Sequence, residues 1–371
     1  MTEPWTLRRI LRWMQDDFEA RGLASPRLDA ELLVAHALEV RRIQLYMELE
    51  RPLTETELGA IRALVKRRRA HEPVAYILGE REFWSRPFEV GPAVLIPRPD
   101  TETLVERALA VLAGPSDGRV TEEPPLDEPS LDPPSPPDTV EGEQTYELLD
   151  PLDEAQALLE LDERDGLAPG SRDASPAEED AASPRDAAPA DAPPPAGSPP
   201  RSGAGPRVLD LCTGSGCIAI TLAAERPDAQ LTATDLSEEA LAVARRNAER
   251  HAPRVRFLQG DLFAGARGPF DLITANPPYV AEADHAQLMP EVARHEPALA
   301  LVAPDGGLAI LKRIAREAPR HLAPGGTLLV EVGAGQADAV AALFREAGLS
   351  GVRTHADLGG VDRVVEGRLD R

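Results

Sequence analysis

The sequence predicts an α/β fold with a doubly wound, mostly parallel sheet, and three observations carry that prediction. From Pro206 onward, short apolar runs alternate with helical patterns, as they do where strands are joined by crossover helices. The first such run, 207–211, opens into the glycine-bearing loop Asp210-Leu211-Cys212-Thr213-Gly214-Ser215-Gly216. A later run, 270–275, stops at Asn276-Pro277-Pro278-Tyr279. Two consecutive prolines offer no N–H to a ladder, so the strand ends there and the chain stays stiff and extended. The Asn276 carboxamide and the neighbouring carbonyls are thereby free to face a ligand. Open parallel sheets bind ligands at the carboxyl ends of their strands. An amide oxygen and a backbone carbonyl can each accept one N–H of a planar –NH2 group, and an aromatic ring can cover its face.

Taken in order, residues 1–78 read as a small helical domain. Leu7, Ile10, Leu11 and Met14 recur at helical spacing. Ser25-Pro26 opens a second helix, whose expected apolar side is Leu28, Leu32, Leu33 and Leu38. Thr54 with Glu57 has the form of a capping box. Lys66-Arg67-Arg68-Arg69 closes that helix, where cations suit the dipole. This run reads either as a solvated helix end or as a contact for an acidic or RNA-bound partner. Residues 79–97 change period and predict a β-hairpin linking two domains. In Arg98-Pro99-Asp100-Thr101-Glu102, Asp100 or Thr101 is the expected N-cap of a helix that completes the 79–114 linker.

Residues 115–205 are a different material. They carry 23 Asp/Glu against 5 Arg, and 18 of the 37 prolines. Such composition buries too little apolar surface to offset chain entropy, so a disordered acidic insert is expected, with room for a partner of unknown kind. The remainder, 206–371, holds the sheet. Its expected elements are strands at 207–211, 230–234, 255–259, 270–275 and 327–332, a closing pair at 352–356 and 363–367, and helices at 218–224, 238–250, 308–322 and 337–347.

The formal net charge of the 371 residues is −23, yet outside 115–205 there are 40 acids and 35 bases. The globular parts are therefore near neutral, which argues against a protein that grips nucleic acid by its overall field. Cys212 and Cys217 are the only cysteines, too few for a disulfide framework or a four-thiolate metal site, and they read as small buried residues at a turn. A reducing, cytoplasmic setting is expected, with no membrane span and no signal peptide. Two lysines against 38 arginines, with abundant Ala and Pro, fit a G+C-rich bacterial genome.

The loop 210–216 lacks the third glycine of a dinucleotide fingerprint, so a nucleoside ligand fits better than a dinucleotide. Asp235 ends the second strand about 20 residues on, where a carboxylate can accept both ribose hydroxyls. Asp261 ends the third strand, placed for an adenine amino group, with Leu262 or Phe263 against the ring. Asp210 either orders the loop or faces the ligand's amino acid part.

Asp210-x3-Gly-x-Gly, Asp235, Asp261 and Asn-Pro-Pro-Tyr together resemble a class I, Rossmann-like S-adenosylmethionine-dependent methyltransferase. Gly79-Glu80-Arg81-Glu82-Phe83-Trp84, Ile96 to Glu102 and Arg294-His295-Glu296-Pro297 extend the likeness, as does Ser25-Pro26-Arg27-Leu28-Asp29-Ala30-Glu31-Leu32-Leu33. Over 1–113 and 206–371 the chain resembles the bacterial N5-glutamine methyltransferases of peptide chain release factors, the PrmC family. The acidic insert departs from that pattern. The resemblance implies S-adenosyl-L-methionine as methyl donor and no metal. It implies Asp210, Cys212, Thr213, Gly214, Ser215, Gly216, Asp235, Asp261, Leu262 and Asn276 around the cofactor. It also implies Asn276, Pro277, Pro278 and Tyr279 around the glutamine of a Gly-Gly-Gln loop in class 1 release factors. Alternatives are a methyltransferase for a ribosomal-protein glutamine, one for adenine N6 in nucleic acid, and a non-catalytic scaffold. The adenine reading wants a basic groove that the sequence does not offer, and the intact motifs argue against a scaffold.

Overall fold

The computed structural model describes residues 4–114 and 205–370. The expectation of disorder for 115–205 thus lies outside the described residues, apart from Gly205.

Five helices come first: α1 (Leu7–Ala20), α2 (Pro26–Ala37), α3 (Arg42–Met47), α4 (Glu55–Arg69) and α5 (Val74–Leu78). Thr6 caps α1 and Thr54 with Glu57 forms the expected capping box on α4. Leu7, Ile10, Met14, Phe18, Leu33, Val34, Leu58 and Ile61 meet in one core. The expected apolar side of α2 needs correction. Leu28 is exposed, whereas Asp29 and Glu31 are buried. Ion pairs explain the exchange: Asp29 takes the Arg68 guanidinium at 2.8 Å, and Glu31 takes Arg27 at 2.9 Å. The basic run at the end of α4 follows the solvated reading only at Lys66 and Arg67, which are exposed, whereas Arg68 is buried. Arg67 pairs with Glu72 at 2.5 Å, Arg69 with Asp17 at 2.6 Å, and Arg68 also with Glu291 at 2.6 Å. Three of the four cations are thus engaged inside the molecule.

The hairpin is shorter than expected. β1 (Glu80–Phe83) pairs antiparallel with β2 (Arg86–Glu89) across Trp84-Ser85, both at positive φ, the backbone that matches the twist of a two-residue hairpin turn. Residues 90–98 leave the ladder at Gly91-Pro92, since Pro92 has no N–H to donate. Val90, Val94 and Ile96 instead pack with Tyr76, Ala240 and Val243, and the Tyr76 hydroxyl donates to the Val94 carbonyl at 2.5 Å. One 3₁₀ turn, Pro99–Thr101, leads into α6 (Glu102–Ala113).

The remaining chain runs β3 (Arg207–Leu211), α7 (Cys217–Glu225), β4 (Gln230–Asp235), α8 (Glu238–His251), β5 (Arg256–Gln259) and β6 (Phe270–Ala275). A strap follows: β7 (Val280–Ala281), α9 (Pro290–His295), α10 (Ala298–Leu301) and β8 (Val302–Ala303). Then come α11 (Ala309–Glu317), β9 (Leu322–Glu331), α12 (Ala337–Glu346), β10 (Leu349–Ala356) and β11 (Asp362–Leu369). The helix expected to reach Leu322 ends at Glu317, because Pro319 cannot continue it. Leu322 already pairs with Phe270 in the sheet.

Seven strands form the sheet in the order β10-β11-β9-β6-β3-β4-β5, with only β11 antiparallel to its neighbours. Alternate residues serve opposite faces, as the period of two requires. Val208, Leu272, Leu329 and Val364 face α6 and α7, while Leu209, Ile273, Leu328 and Val365 face α11 and α12. From β3 the chain winds outward through β4 and β5, then returns to build β6 and β9 on the other side. The carboxyl ends of β3, β4 and β6 therefore border the crevice where such sheets take ligands.

Candidate active site

The loop after β3 is held from below. Asp210 is fully buried, and its two oxygens accept from Thr213 Oγ1 at 2.6 Å and Thr274 Oγ1 at 2.7 Å. Burial pushes its carboxyl up to about 7. Of the two roles expected for Asp210, ordering the loop is the one its contacts match, and it does not line the cavity above. Cys212 and Gly214 both have φ 55°, a region costly for a residue with a Cβ, so a non-glycine there marks a backbone held by its surroundings. Gly216 lies at φ 82°, and a Cβ on it would stand 2.7 Å from Ile220 Cδ1. The positive φ, more than contact with the movable Ile220 tip, is what favours glycine there. Burial pushes the Cys212 thiol up and the Cys217 thiol up to about 12, which keeps both as neutral thiols.

At the end of β4, Asp235 Oδ2 accepts the Gly214 N–H and Oδ1 the Ser237 N–H, each at 2.9 Å. Its carboxyl thus joins two loops while facing the crevice. Burial pushes its pKa upward. Asp261, beyond β5, is exposed and paired with Arg313 at 2.9 Å. Leu262, at φ 52°, is buried against the crevice. Phe263 does not line the crevice: its ring stacks on His321 at 4.5 Å.

Between these loops lies a cavity of ≈ 270 Å³. Its floor is Cys212 to Ser215, Asp235, Asp261, Leu262 and Asn276; its roof is Val94, Leu95, Arg98, Pro297, Leu299 and Ala300. Pro278 also lines it, whereas Gly216, Pro277 and Tyr279 do not. The lining fits an adenosine-type cofactor: the Asp235 carboxylate at the end of β4, the glycine-bearing loop, and apolar walls from Leu236, Leu262 and Ile310. Among the described residues, no group of three or more His, Cys, Asp or Glu side chains is placed to share a metal ion. Nor is any helix among them long and apolar enough to cross a membrane.

Asn276 sits at the edge of this cavity, with Nδ2 donating to Thr101 Oγ1 at 3.2 Å. Of the two expected caps, Thr101 holds the N-cap position of α6 but makes no side-chain capping bond, and Asp100 pairs with Arg363 at 3.1 Å. Tyr279 turns away from the cavity toward the sheet. Its hydroxyl donates to Glu331 Oε1 at 3.3 Å, and its carbonyl accepts from Gln336 Nε2 at 2.9 Å. A Cβ on Gly307 would lie 2.0 Å from that carbonyl, so the strap reaches this turn only through glycine. Glu331 is buried, and burial pushes its carboxyl up to about 7. Glu296, also buried, accepts from Ile96 N at 3.1 Å and from Arg98, which fastens the roof to the strap. His295 contacts the Ala70 carbonyl at 3.0 Å, and His285 sits in a short turn of the strap. The roof residues 92–98, Glu331 and Gln336 were not singled out as site residues, because no local pattern marks them. Only the quoted stretches around Arg98 and Glu296 carried a signal.

Two family models match the chain: the PrmC N-terminal domain over residues 9–79 and the methyltransferase small domain over residues 200–310. A release factor glutamine methyltransferase from Geobacter sulfurreducens is 34% identical, covering 99% of this chain and 98% of its own length. One from Salmonella typhimurium is 36% identical, covering 95% of each. A third, from Bordetella pertussis, is 36% identical over 93% of this chain and 95% of its own. Identity at that level along nearly the whole of both partners, over a seven-stranded sheet with its crevice at the switch point, establishes that this chain belongs to the release factor glutamine methyltransferase family.

Proposed function

We propose that this enzyme transfers a methyl group from S-adenosyl-L-methionine to the side-chain amide nitrogen of the glutamine in the Gly-Gly-Gln loop of class 1 peptide chain release factors. It would work in the cytoplasm, with residues 1–78 recognising the substrate and 206–371 performing the transfer. The observation that carries this reading is the Asn276 carboxamide, held by Thr101 at the edge of a cavity that the bonded Gly214–Asp235 pair also lines.

An amide nitrogen is a weak nucleophile because its lone pair is delocalised into the carbonyl. Rate must then come from position. With Nδ2 turned to Thr101, Asn276 Oδ1 is the acceptor for one N–H of the substrate amide. The Pro277 carbonyl, between the lining residues Asn276 and Pro278, would accept the other at the cavity's edge. With both hydrogens fixed, the nitrogen is aimed across the cavity, and one of the two would leave as a proton to water once the nitrogen carries the methyl group. The cofactor supplies an electrophilic methyl there. Asp235 would accept the ribose hydroxyls, Cys212 to Gly216 would follow the amino acid part, and Asp261 with Leu262 would meet the adenine. Tyr279, whose hydroxyl and carbonyl are both engaged behind the turn, braces Asn276 to Pro278 rather than covering the amide.

Single-turnover methylation of a release factor tests this. Asn276→Ala should keep the fold and the cofactor affinity while slowing transfer by about 10²–10³-fold, the cost of one positioned polar partner. Asn276→Asp, which adds a charge beside a cationic sulfonium, should bind cofactor at least as well and still transfer slowly. Wild-type transfer by Asn276→Ala would reduce the motif to a strand terminator.

A further inference from the structure

We infer that the turn joining β10 to β11, with Leu358 at its apex, is a contact for the protein substrate, and that Leu358 seats in an apolar hollow beside the loop that carries the glutamine. The inference deepens the proposed function and rests on it.

The sheet sets where this turn stands. β6 and β9 run parallel and Ala275 pairs with Val330, so Asn276 and Glu331 follow side by side. β11 runs back along β9 with Val364 opposite Glu331. Residues 357–361, which precede β11, therefore project beyond the carboxyl edge of the parallel strands, the edge that carries Asn276. Neighbouring strands lie about 4.8 Å apart, so β11 stands about 10 Å from β6 with β9 between them. The order β11-β9-β6-β3-β4 puts Asn276 between two neighbours. On one side are the loops after β3 and β4, which line the cofactor cavity. On the other side is this turn. A protein that delivers its amide opposite the cofactor has its bulk on that second side. A chain of contacts also ties the turn to the site. Asp357 takes Arg363 at 3.0 Å, Arg363 reaches Asp100 at 3.1 Å, and Asp100 adjoins Thr101, whose hydroxyl holds Asn276.

The turn is held in one shape. Asp357 Oδ1 accepts the Gly359 N–H at 2.8 Å and the Val361 N–H at 3.0 Å. The backbone closes on itself as well: Asp357 N donates to the Val361 carbonyl and Gly360 N to the Asp357 carbonyl, each at 2.9 Å. Nothing in this frame shelters the apex. Leu358 is the most exposed of the large apolar side chains among the described residues, and Val361 is exposed beside it. A lone exposed leucine is ordinary on a protein surface. One fixed on an ordered turn beside the site differs, because a partner that buries it has little chain entropy to overcome. A glutamine side chain and two glycines offer few contacts of their own. Affinity for a folded substrate must then come from the surface around them, remote from the reacting nitrogen.

The test is steady-state methylation of an intact release factor at saturating cofactor, with cofactor affinity by calorimetry and the melting temperature as controls. Leu358→Ser should raise KM for the release factor about tenfold or more, the effect of no longer burying one leucine. Its kcat, cofactor affinity and melting temperature should stay those of the wild type. That split is expected where binding is lost equally from the ground and transition states. Leu358→Met, which keeps the volume, should stay within a few-fold of the wild-type KM. A wild-type KM in Leu358→Ser, or a loss that falls on kcat or on cofactor affinity instead, would overturn the inference while leaving the proposed function standing. A wild-type enzyme that leaves the release factor unmethylated fails the function itself, and the inference with it.

Discussion

Glu331 carries a consequence for stability that can be read without any substrate. Burial lifts its carboxyl from an ordinary 4.5 to about 7, against the pull of the Thr101 and Tyr279 hydroxyls and of Arg363. Between those values the folded chain holds a proton that the unfolded chain has lost. The linked stabilisation is therefore complete below the unfolded pKa and is lost as pH rises through the folded one. Glu331→Gln has no such proton. Its melting temperature relative to the wild type should rise steadily from about pH 5 to about pH 8. Asp210, lifted into the same window, is common to both proteins and cancels. A flat difference would mean that Glu331 titrates as it does in an unfolded chain. Individual residues differed in how far the sequence disclosed them. Asn276, Asp235 and the 210–216 loop were legible because each ends an apolar run or breaks it with Gly or Pro. Thr101 was read only as a cap, since the residue it serves lies 175 positions away. The direction in which Tyr279 turns was likewise invisible, because it depends on Glu331 and Gln336 behind it.

At the scale of elements, the strap between β6 and β9 does more than connect. It contributes Pro297, Leu299 and Ala300 to the roof, clamps Arg98 through Glu296, and reaches the helical region through Glu291 and His295. Arg68 is the anchor of that last contact, nearly fully buried between Asp29 and Glu291. Removing one partner of a buried pair leaves an uncompensated charge and costs about 3–5 kcal/mol. Arg68→Met should lower the unfolding free energy by that amount in urea titration. The exposed Arg8–Glu50 pair makes the control, and Arg8→Met should cost at most about 1 kcal/mol. Equal costs for the two would mean that Arg68 is solvated. This clasp explains why the basic run misled a reading from sequence. Four consecutive cations at a helix end look like a surface, and the acid that buries the third is 223 residues downstream. The hairpin was overextended for a related reason: Val94 and Ile96 are buried by α8 and Tyr76, not by a strand partner.

For the whole molecule, the sheet was legible because parallel strands covered on both faces appear as nearly continuous apolar runs. Its strand order was not, since β11 inserting between β9 and β10 is a matter of which edge remains open. The acidic segment poses the remaining question of architecture. Among the described residues, 4–114 and 205–370, the sheet has seven strands and the cavity has a floor and a roof. α6 ends at Ala113 and β3 begins at Arg207, so the segment joins two elements that already have their packing partners. The entropy of closing a loop grows only with the logarithm of its length, by about 0.6 kcal/mol per doubling. Replacing 115–205 with a short Gly/Ser linker between Gly114 and Pro206 should therefore leave the melting temperature equal or higher. Cofactor affinity by calorimetry and the single-turnover rate on a release factor should stay within a few-fold of the full chain. Loss of cofactor binding on deletion would make the segment part of the fold. Retained binding with lost transfer would instead make it part of substrate capture.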